Sequence, residues 1–204
     1  MVTIVDYGLG NLFSVAKAFE SIGVPVRISA DPKDLKNASH IVLPGVGAFP
    51  RGMQNLQTVG LCRVLEEEVI GKKKPFLGIC LGLQLLADKG YEHEESAGLG
   101  WIKGEVRILS VEQQELKVPH IGWNDLSLKK ESRLSKTIKP DADFYFVHSY
   151  QLHCADKGDI VATTMYGEEI TAVIERENIC AVQFHPEKSQ DTGLTLLENF
   201  YQYA

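Results

Sequence analysis

Through the N-terminal half of the chain, short runs of aliphatic and β-branched residues alternate with stretches of helical period. VTIVD (2–6) reads as a strand, and NLFSVAKAFESIG (11–23) follows with Leu12, Val15, Ala16, Phe19 and Ile22 on one helical stripe and Gly23 as its stop. VPVRIS (24–29) and SHIVLPG (39–45) are the next strands, the second ending in a Pro-Gly-Val-Gly turn. VGLCRVLEEEVIG (59–71) has helical period, PFLGI (75–79) is a strand, and LGLQLLADK (81–89) returns to the helical pattern. A βα series of this kind predicts a parallel sheet wrapped by helices.

The C-terminal half changes character. EVRILS (105–110), DFYFVHSYQL (143–152), IVATTM (160–165), TAVIER (171–176) and ICAVQF (179–184) read as strands separated by turns, and TGLTLLENFYQY (192–203) closes as a helix. These strands are expected to complete the same sheet and to add antiparallel strands to it. At 204 residues the chain is expected to form one domain over 1–204, α/β in class, with a mostly parallel central sheet flanked by helices.

Composition narrows the function. Hydrophobic residues make up 44% and charged residues 24% of the chain, and no apolar run approaches the roughly 20 residues of a membrane span. The first twenty residues lack a basic start and a continuous apolar core, so the expectation is a soluble cytoplasmic protein without a membrane partner. Cys62, Cys80, Cys154 and Cys180 are scattered without CxxC pairs, and His40, His93, His120 and His153 have no ligand spacing, so neither metal nor cofactor is expected. A net charge of −6, with Lys72-Lys73-Lys74 as the longest basic run, argues against a nucleic-acid partner. That run reads as a solvated helix end.

The candidate chemistry begins at Gly78-Ile79-Cys80-Leu81-Gly82, which has the spacing of a nucleophile elbow between a strand and a helix. On this motif alone, Cys80 is either a nucleophile near a helix N-terminus or one more buried thiol. His185-Pro186-Glu187, after a strongly β-like run, supplies a base, and in extended backbone Glu187 would share a side with His185 and orient its ring. An oxyanion hole would draw on the backbone N–H of Leu81 and on Val46 or Gly47 of the Pro44–Gly47 turn. Gly8-Leu9-Gly10 hints at a dinucleotide loop, but Phe13 stands where the third glycine belongs. His148 would be a spare base, yet no acid follows two residues on.

PFLGICLGLQLL, the PGVG turn and QFHPEKS together resemble the class I glutamine amidotransferases, which hydrolyse the side-chain amide of glutamine with a Cys-His-Glu triad. Within that family, DYGLGNLFSV, LPGVGAF, PHIGWN, YFVHSY and QFHPEKSQ are similar to the glutaminase subunits of imidazole glycerol phosphate synthases. The resemblance implies Cys80 as nucleophile, His185 as acid/base and Glu187 as its orienter. It further implies that Gly47, Gln84, Glu92, Tyr145, His148 and Ser149 surround the glutamine. Trp123, Asn124 and Lys188 would face a partner, a (β/α)8 cyclase that uses the ammonia in a heterodimer. Ala181 and Ile170-Thr171 replace the glycine and the aromatic residue frequent at those places. Alternatives are a related subunit serving a surface-polysaccharide sugar amidotransferase, a cysteine peptidase-like hydrolase, and a non-catalytic interaction module.

Overall fold

The structure is a computed structural model that describes residues 1–111, 116–139 and 142–202. Its N-terminal half runs β1 (Val2–Val5), α1 (Leu12–Ser21), β2 (Val26–Ser29), α2 (Pro32–Asn37), β3 (His40–Gly45), α3 (Phe49–Thr58), α4 (Leu61–Leu65), β4 (Phe76–Cys80) and α5 (Leu81–Gln84). The C-terminal half adds β5 (Lys89–Gly90), β6 (Ser96–Ala97), β7 (Gly104–Ile108), β8 (His120–Asp125), β9 (Ser127–Leu128), β10 (Asp143–His148), β11 (Tyr150–Cys154), β12 (Ile160–Tyr166), β13 (Glu168–Arg176), β14 (Ile179–Val182) and α6 (Gln190–Tyr201).

Eight strands form the main sheet in the order β2-β1-β3-β4-β14-β13-β12-β9. The first five are mutually parallel and the last three join antiparallel. β1, β3, β4 and β14 are buried along their whole length, as strands covered by helices on both faces must be. On one face, Val15, Ala16, Ala18 and Phe19 of α1 pack with Leu196, Leu197 and Phe200 of α6 over Ile4, Val42 and Val182. On the other, Leu56, Leu61 and Leu65 of α3 and α4 cover Val5, Leu43 and Phe76.

Several expectations are revised. DFYFVHSYQL breaks at Ser149 into β10 and β11, which leave the main sheet: β10 pairs with β8 in a ribbon, and β11 joins β7, β5 and β6 in a second sheet. The helix after Cys80 is four residues long instead of nine, because Leu85 to Asp88 turn and Lys89 already lies in a strand. The 59–71 helix changes pitch, α4 continuing as a π-helix over Glu66–Gly71. Helices α2 and α3 fall on stretches to which the periodicity gave no element. α2 starts from Asp31, whose carboxylate accepts the Lys33 N–H at 2.8 Å. Tyr203, the last residue of the expected closing helix, lies outside the described residues.

The lysine run is a solvated helix end only in part: Lys72 and Lys73 are exposed after the helical turn at Glu66–Gly71, and Lys74 is not. Lys74 is only 12% exposed and sits 2.9 Å from the Glu68 carboxylate, while Lys72 reaches the other oxygen of that carboxylate at 2.7 Å. Lys74 also donates to the carbonyls of Leu35 and Lys36, tying the approach to β4 to the end of α2.

Candidate active site

β4 is an interior strand of the parallel region, between β3 and β14, and its C-terminal end carries Cys80. β3 lies on one side, with Gly45 opposite Cys80, and β14 on the other, with Val182 opposite Ile79. The register therefore places the Pro44–Gly47 turn beside the thiol and delivers the chain after Val182 to its other flank. Ligand sites of parallel sheets form at such carboxyl ends.

Cys80 has φ +54° and ψ −107°, a conformation that side chains with a Cβ rarely adopt. The flanking glycines make this elbow possible. A Cβ on Gly82 would stand 1.8 Å from the Leu43 carbonyl oxygen, and one on Gly78 would stand 2.7 Å from the Gly82 oxygen. With only four residues in α5, the local turn matters more here than a helix macrodipole.

His185 lies three residues beyond the end of β14 and is 2% exposed. Its N–H donates to the Tyr145 carbonyl at 2.9 Å, and its own carbonyl accepts from Ser189 Oγ at 2.7 Å. That Oγ in turn accepts the Tyr145 N–H at 2.9 Å, so one serine fixes the His185 backbone against β10. The Glu187 carboxylate lies 2.8 Å from His185 Nδ1 in a pair whose side chains are both 2% exposed. Glu187 arrives by a tight 3-10 turn, Pro186–Lys188, and not by strand alternation.

Burial opposes a charge on His185, but the neighbouring Cys80 and Glu187 outweigh it and raise the imidazole to about 10. His185 Nε2 has no aligned hydrogen-bond partner among the described residues. The thiol is thus near enough to act on the ring electrostatically without a formed hydrogen bond to it.

A cavity of about 380 Å³ opens over the thiol, lined by Val46, Gly47, Leu81, Gln84, Glu92, His148 and Ser149 among others. These residues come from four separate stretches of the chain, and the volume suits a small ligand. Glu92 accepts the Phe49 N–H at 2.8 Å and so also caps the start of α3. Tyr145 stands apart from this cavity. It meets Trp123 edge-on with ring centres 6.0 Å apart, and the Lys188 ammonium lies 5.7 Å from its ring centre. Trp123 is 48% exposed, as are Ile121 at 59% and Met165 at 63% nearby in sequence or pairing.

Behind the cavity runs a set of buried polar groups that residue spacing did not reveal. His148 Nδ1 is 3.0 Å from the Tyr150 carbonyl oxygen and must donate to it; its Nε2 therefore accepts, and His120 Nδ1, at 3.0 Å, is the donor. His120 Nε2 then accepts from Asn124 Nδ2 at 3.3 Å, and Asn124 is oriented by its second bond to the Met165 carbonyl. Burial holds both imidazoles down at about 4. His148 is committed to this chain at both nitrogens and is not a spare base. Gln183, fully buried, donates Nε2 to Cys80 Sγ at 3.7 Å and accepts from Gln84 Nε2 at 3.2 Å. The period-2 relation of Gln183 to His185 was the available signal for it.

Among the described residues no group of three or more His, Cys, Asp or Glu side chains is arranged to hold a metal ion. No helix among them is long and apolar enough to cross a membrane.

The pattern of the family described as "Glutamine amidotransferase class-I" matches residues 3–203. Imidazole glycerol phosphate synthase subunit HisH 1 of Campylobacter jejuni (strain 81-176) is 48% identical over 200 residues, covering 98% of each chain. Imidazole glycerol phosphate synthase subunit HisH of Aquifex aeolicus (strain VF5) is 50% identical over 202 residues, covering 98% of this chain and 96% of that one. Among solved structures, PurLQS from Thermotoga maritima superposes with a TM-score of 0.74 at 17% identity, over 99% of this chain and 97% of that one. This last likeness bears on the fold alone.

Proposed function

The chain belongs to the class I glutamine amidotransferases, and we propose that it acts as the glutaminase subunit of an imidazole glycerol phosphate synthase, hydrolysing glutamine and passing the ammonia to a partner chain. The observation that carries the reading is the setting of Cys80: a strained elbow at the floor of a cavity, flanked by a buried imidazole paired at 2.8 Å with a carboxylate. The near-full-length identity to the Campylobacter and Aquifex subunits supplies the reaction and the pathway.

In this reading the Cys80 sulfur attacks the side-chain carbonyl carbon of glutamine, and the carbonyl oxygen takes up the electron pair. Backbone N–H groups of Leu81 and of Val46 or Gly47 hold that oxyanion. His185, charged at neutral pH and steadied by Glu187, gives its proton to the leaving nitrogen as ammonia departs. A γ-glutamyl thioester remains. His185, now neutral, takes a proton from water as the water oxygen attacks the thioester carbonyl, and collapse releases glutamate and the sulfur.

Glu92 in the cavity suits the α-ammonium of the substrate, and Gly47, Gln84 and Ser149 line it beside Cys80. Tyr145, away from the cavity, belongs with Trp123, Asn124 and Lys188 to the surface that meets the partner, a (β/α)8 cyclase that consumes the ammonia. Residues 1–204 are read as one glutamine amidotransferase domain, and the acceptor site is assigned to the partner protein.

The test is glutamate release by the parent and by Cys80→Ala, each with and without a cyclase subunit. Release that rises with the cyclase and vanishes in Cys80→Ala is the expected result. Equal release by the two proteins would remove Cys80 from the chemistry, and a rise with a sugar amidotransferase alone would reassign the acceptor.

A further inference from the structure

We infer that Gln183 is a further catalytic residue, whose side-chain amide holds the Cys80 sulfur in its anionic form. The inference rests on the reading of Cys80 as nucleophile. Besides the charged His185 imidazole that it faces, the sulfur has two aligned hydrogen-bond contacts among the described residues: the Val147 carbonyl oxygen at 3.9 Å and Gln183 Nε2 at 3.7 Å. A carbonyl can only accept, so it serves the thiol. An amide N–H can only donate, so it serves the thiolate. When the proton leaves, the contact to Val147 becomes unfavourable and the contact to Gln183 strengthens.

The sense of the Gln183 amide follows from fixed backbone chemistry. Gln84 must present its NH₂ group to the Tyr150 carbonyl oxygen, 2.8 Å away, because that oxygen cannot donate. The same nitrogen faces Gln183 at 3.2 Å, which obliges Gln183 to present its oxygen there and turns its NH₂ toward Cys80. A flipped Gln183 would set two donors against each other in a buried site and leave an oxygen facing the sulfur. The Tyr150 oxygen is itself held by a second donor, His148 Nδ1 at 3.0 Å. Gln84 and Gln183 are 5% and 0% exposed, so water does not compete for these groups.

The test follows alkylation of Cys80 by iodoacetamide as a function of pH, read by peptide mass spectrometry on the isolated chain without glutamine. Partly exposed Cys62 serves as internal reference, its reactivity being independent of the elbow. Gln183→Glu and Gln183→Met are compared with the parent, with thermal melting to identify folded variants. We expect the Cys80 profile to move to higher pH, with alkylation at neutral pH slower by about tenfold, the weight of one hydrogen bond to a charged group. The Cys62 profile stays in place. In the parent, the side-chain amide resonance of Gln183 should shift over the same pH range as Cys80 alkylation, a readout that needs no Gln183 variant.

A parent-like Cys80 profile in a folded variant, or a Gln183 amide resonance indifferent to Cys80 titration, would overturn the inference. Neither result touches the glutaminase reading, which stands or falls on the Cys80→Ala assay.

Discussion

His120 Nδ1 lies 3.0 Å from His148 Nε2, inside the molecule, with the polarity of that bond set by backbone carbonyls at both ends of the chain it belongs to. His120 is sandwiched between Phe146 and Tyr166, ring centres 4.9 and 4.0 Å away. A second proton on either ring would meet a donor where an acceptor is needed. Both imidazoles are held at about 4, against 6.5 in an unfolded chain, first by burial.

This relationship predicts acid sensitivity. Between pH 6.5 and about 4 the unfolded chain binds protons that the folded one refuses, so stability is full above 6.5 and falls as pH drops through that window. Each histidine contributes a slope of up to about 1.4 kcal/mol per pH unit. Denaturant midpoints measured across that range should fall toward acid for the parent and fall less steeply for His120→Phe, which keeps the stacking. Parallel slopes would show that other groups carry the acid dependence.

The elbow glycines predict a contrast in stability. Gly82→Ala drives a Cβ to 1.8 Å from the Leu43 carbonyl, a clash of backbone against backbone that no side-chain rotation relieves. We expect a loss of more than about 3 kcal/mol, or failure to fold. Gly23→Ala meets nothing within 4 Å and bears only the cost of φ +75°, on the order of 1 kcal/mol. Chemical denaturation of the two variants checks the ranking.

The same elbow marks where sequence was informative. Periodicity located β1, β3, β4, β14 and α1 because parallel core strands and a one-sided helix have strong patterns, and Cys80, His185 and Glu187 were visible as residue types at strand ends. The route from His185 to Glu187 was not, since Pro186 supports a 3-10 turn as readily as extended backbone. The break at Ser149 was invisible because both flanking segments have the same β composition, and only their separate partners β8 and β7 divide them. His120 meets His148, and Gln84 meets both Gln183 and the Tyr150 carbonyl, across distant segments, and residue spacing does not encode such pairings. The Glu68–Lys74 pair escaped notice because three adjacent lysines look alike in sequence while their exposure differs.

The His185–Glu187 pair predicts a loss at alkaline pH. With His185 raised to about 10 from 6.5, the folded chain retains a proton that the unfolded one releases. The stabilisation is complete below 6.5 and disappears as pH rises through about 10. Glu187→Gln removes the charge that supports the imidazolium and should flatten this dependence. Glutamate release should fall by about 10²- to 10⁴-fold, the range for loss of general acid–base function. Thermal melting from neutral to alkaline pH and steady-state assays provide the check, and an unchanged melting profile would exclude the charge pairing.

The buried carboxylate of Glu68 separates two lysines that sequence does not distinguish. Its side chain is 1% exposed; burial favours the neutral acid, yet Lys72 and Lys74 together keep it below the ordinary carboxylate range. Lys72 is 62% exposed and can be replaced by water, whereas Lys74, at 12%, reaches both Glu68 and two α2 carbonyls. Lys74→Ala should therefore cost about 3–5 kcal/mol, the penalty for orphaning a buried charge, and Lys72→Ala about 1 kcal/mol or less. Because α2 and the start of β4 lose a shared anchor only in the first, hydrogen exchange at Leu35 and Phe76 should accelerate in Lys74→Ala alone. A double variant, Lys74→Met with Glu68→Leu, removes both charges and should recover part of the loss. Equal costs for the two single lysine variants would mean that the pairing, and not its burial, sets the energy.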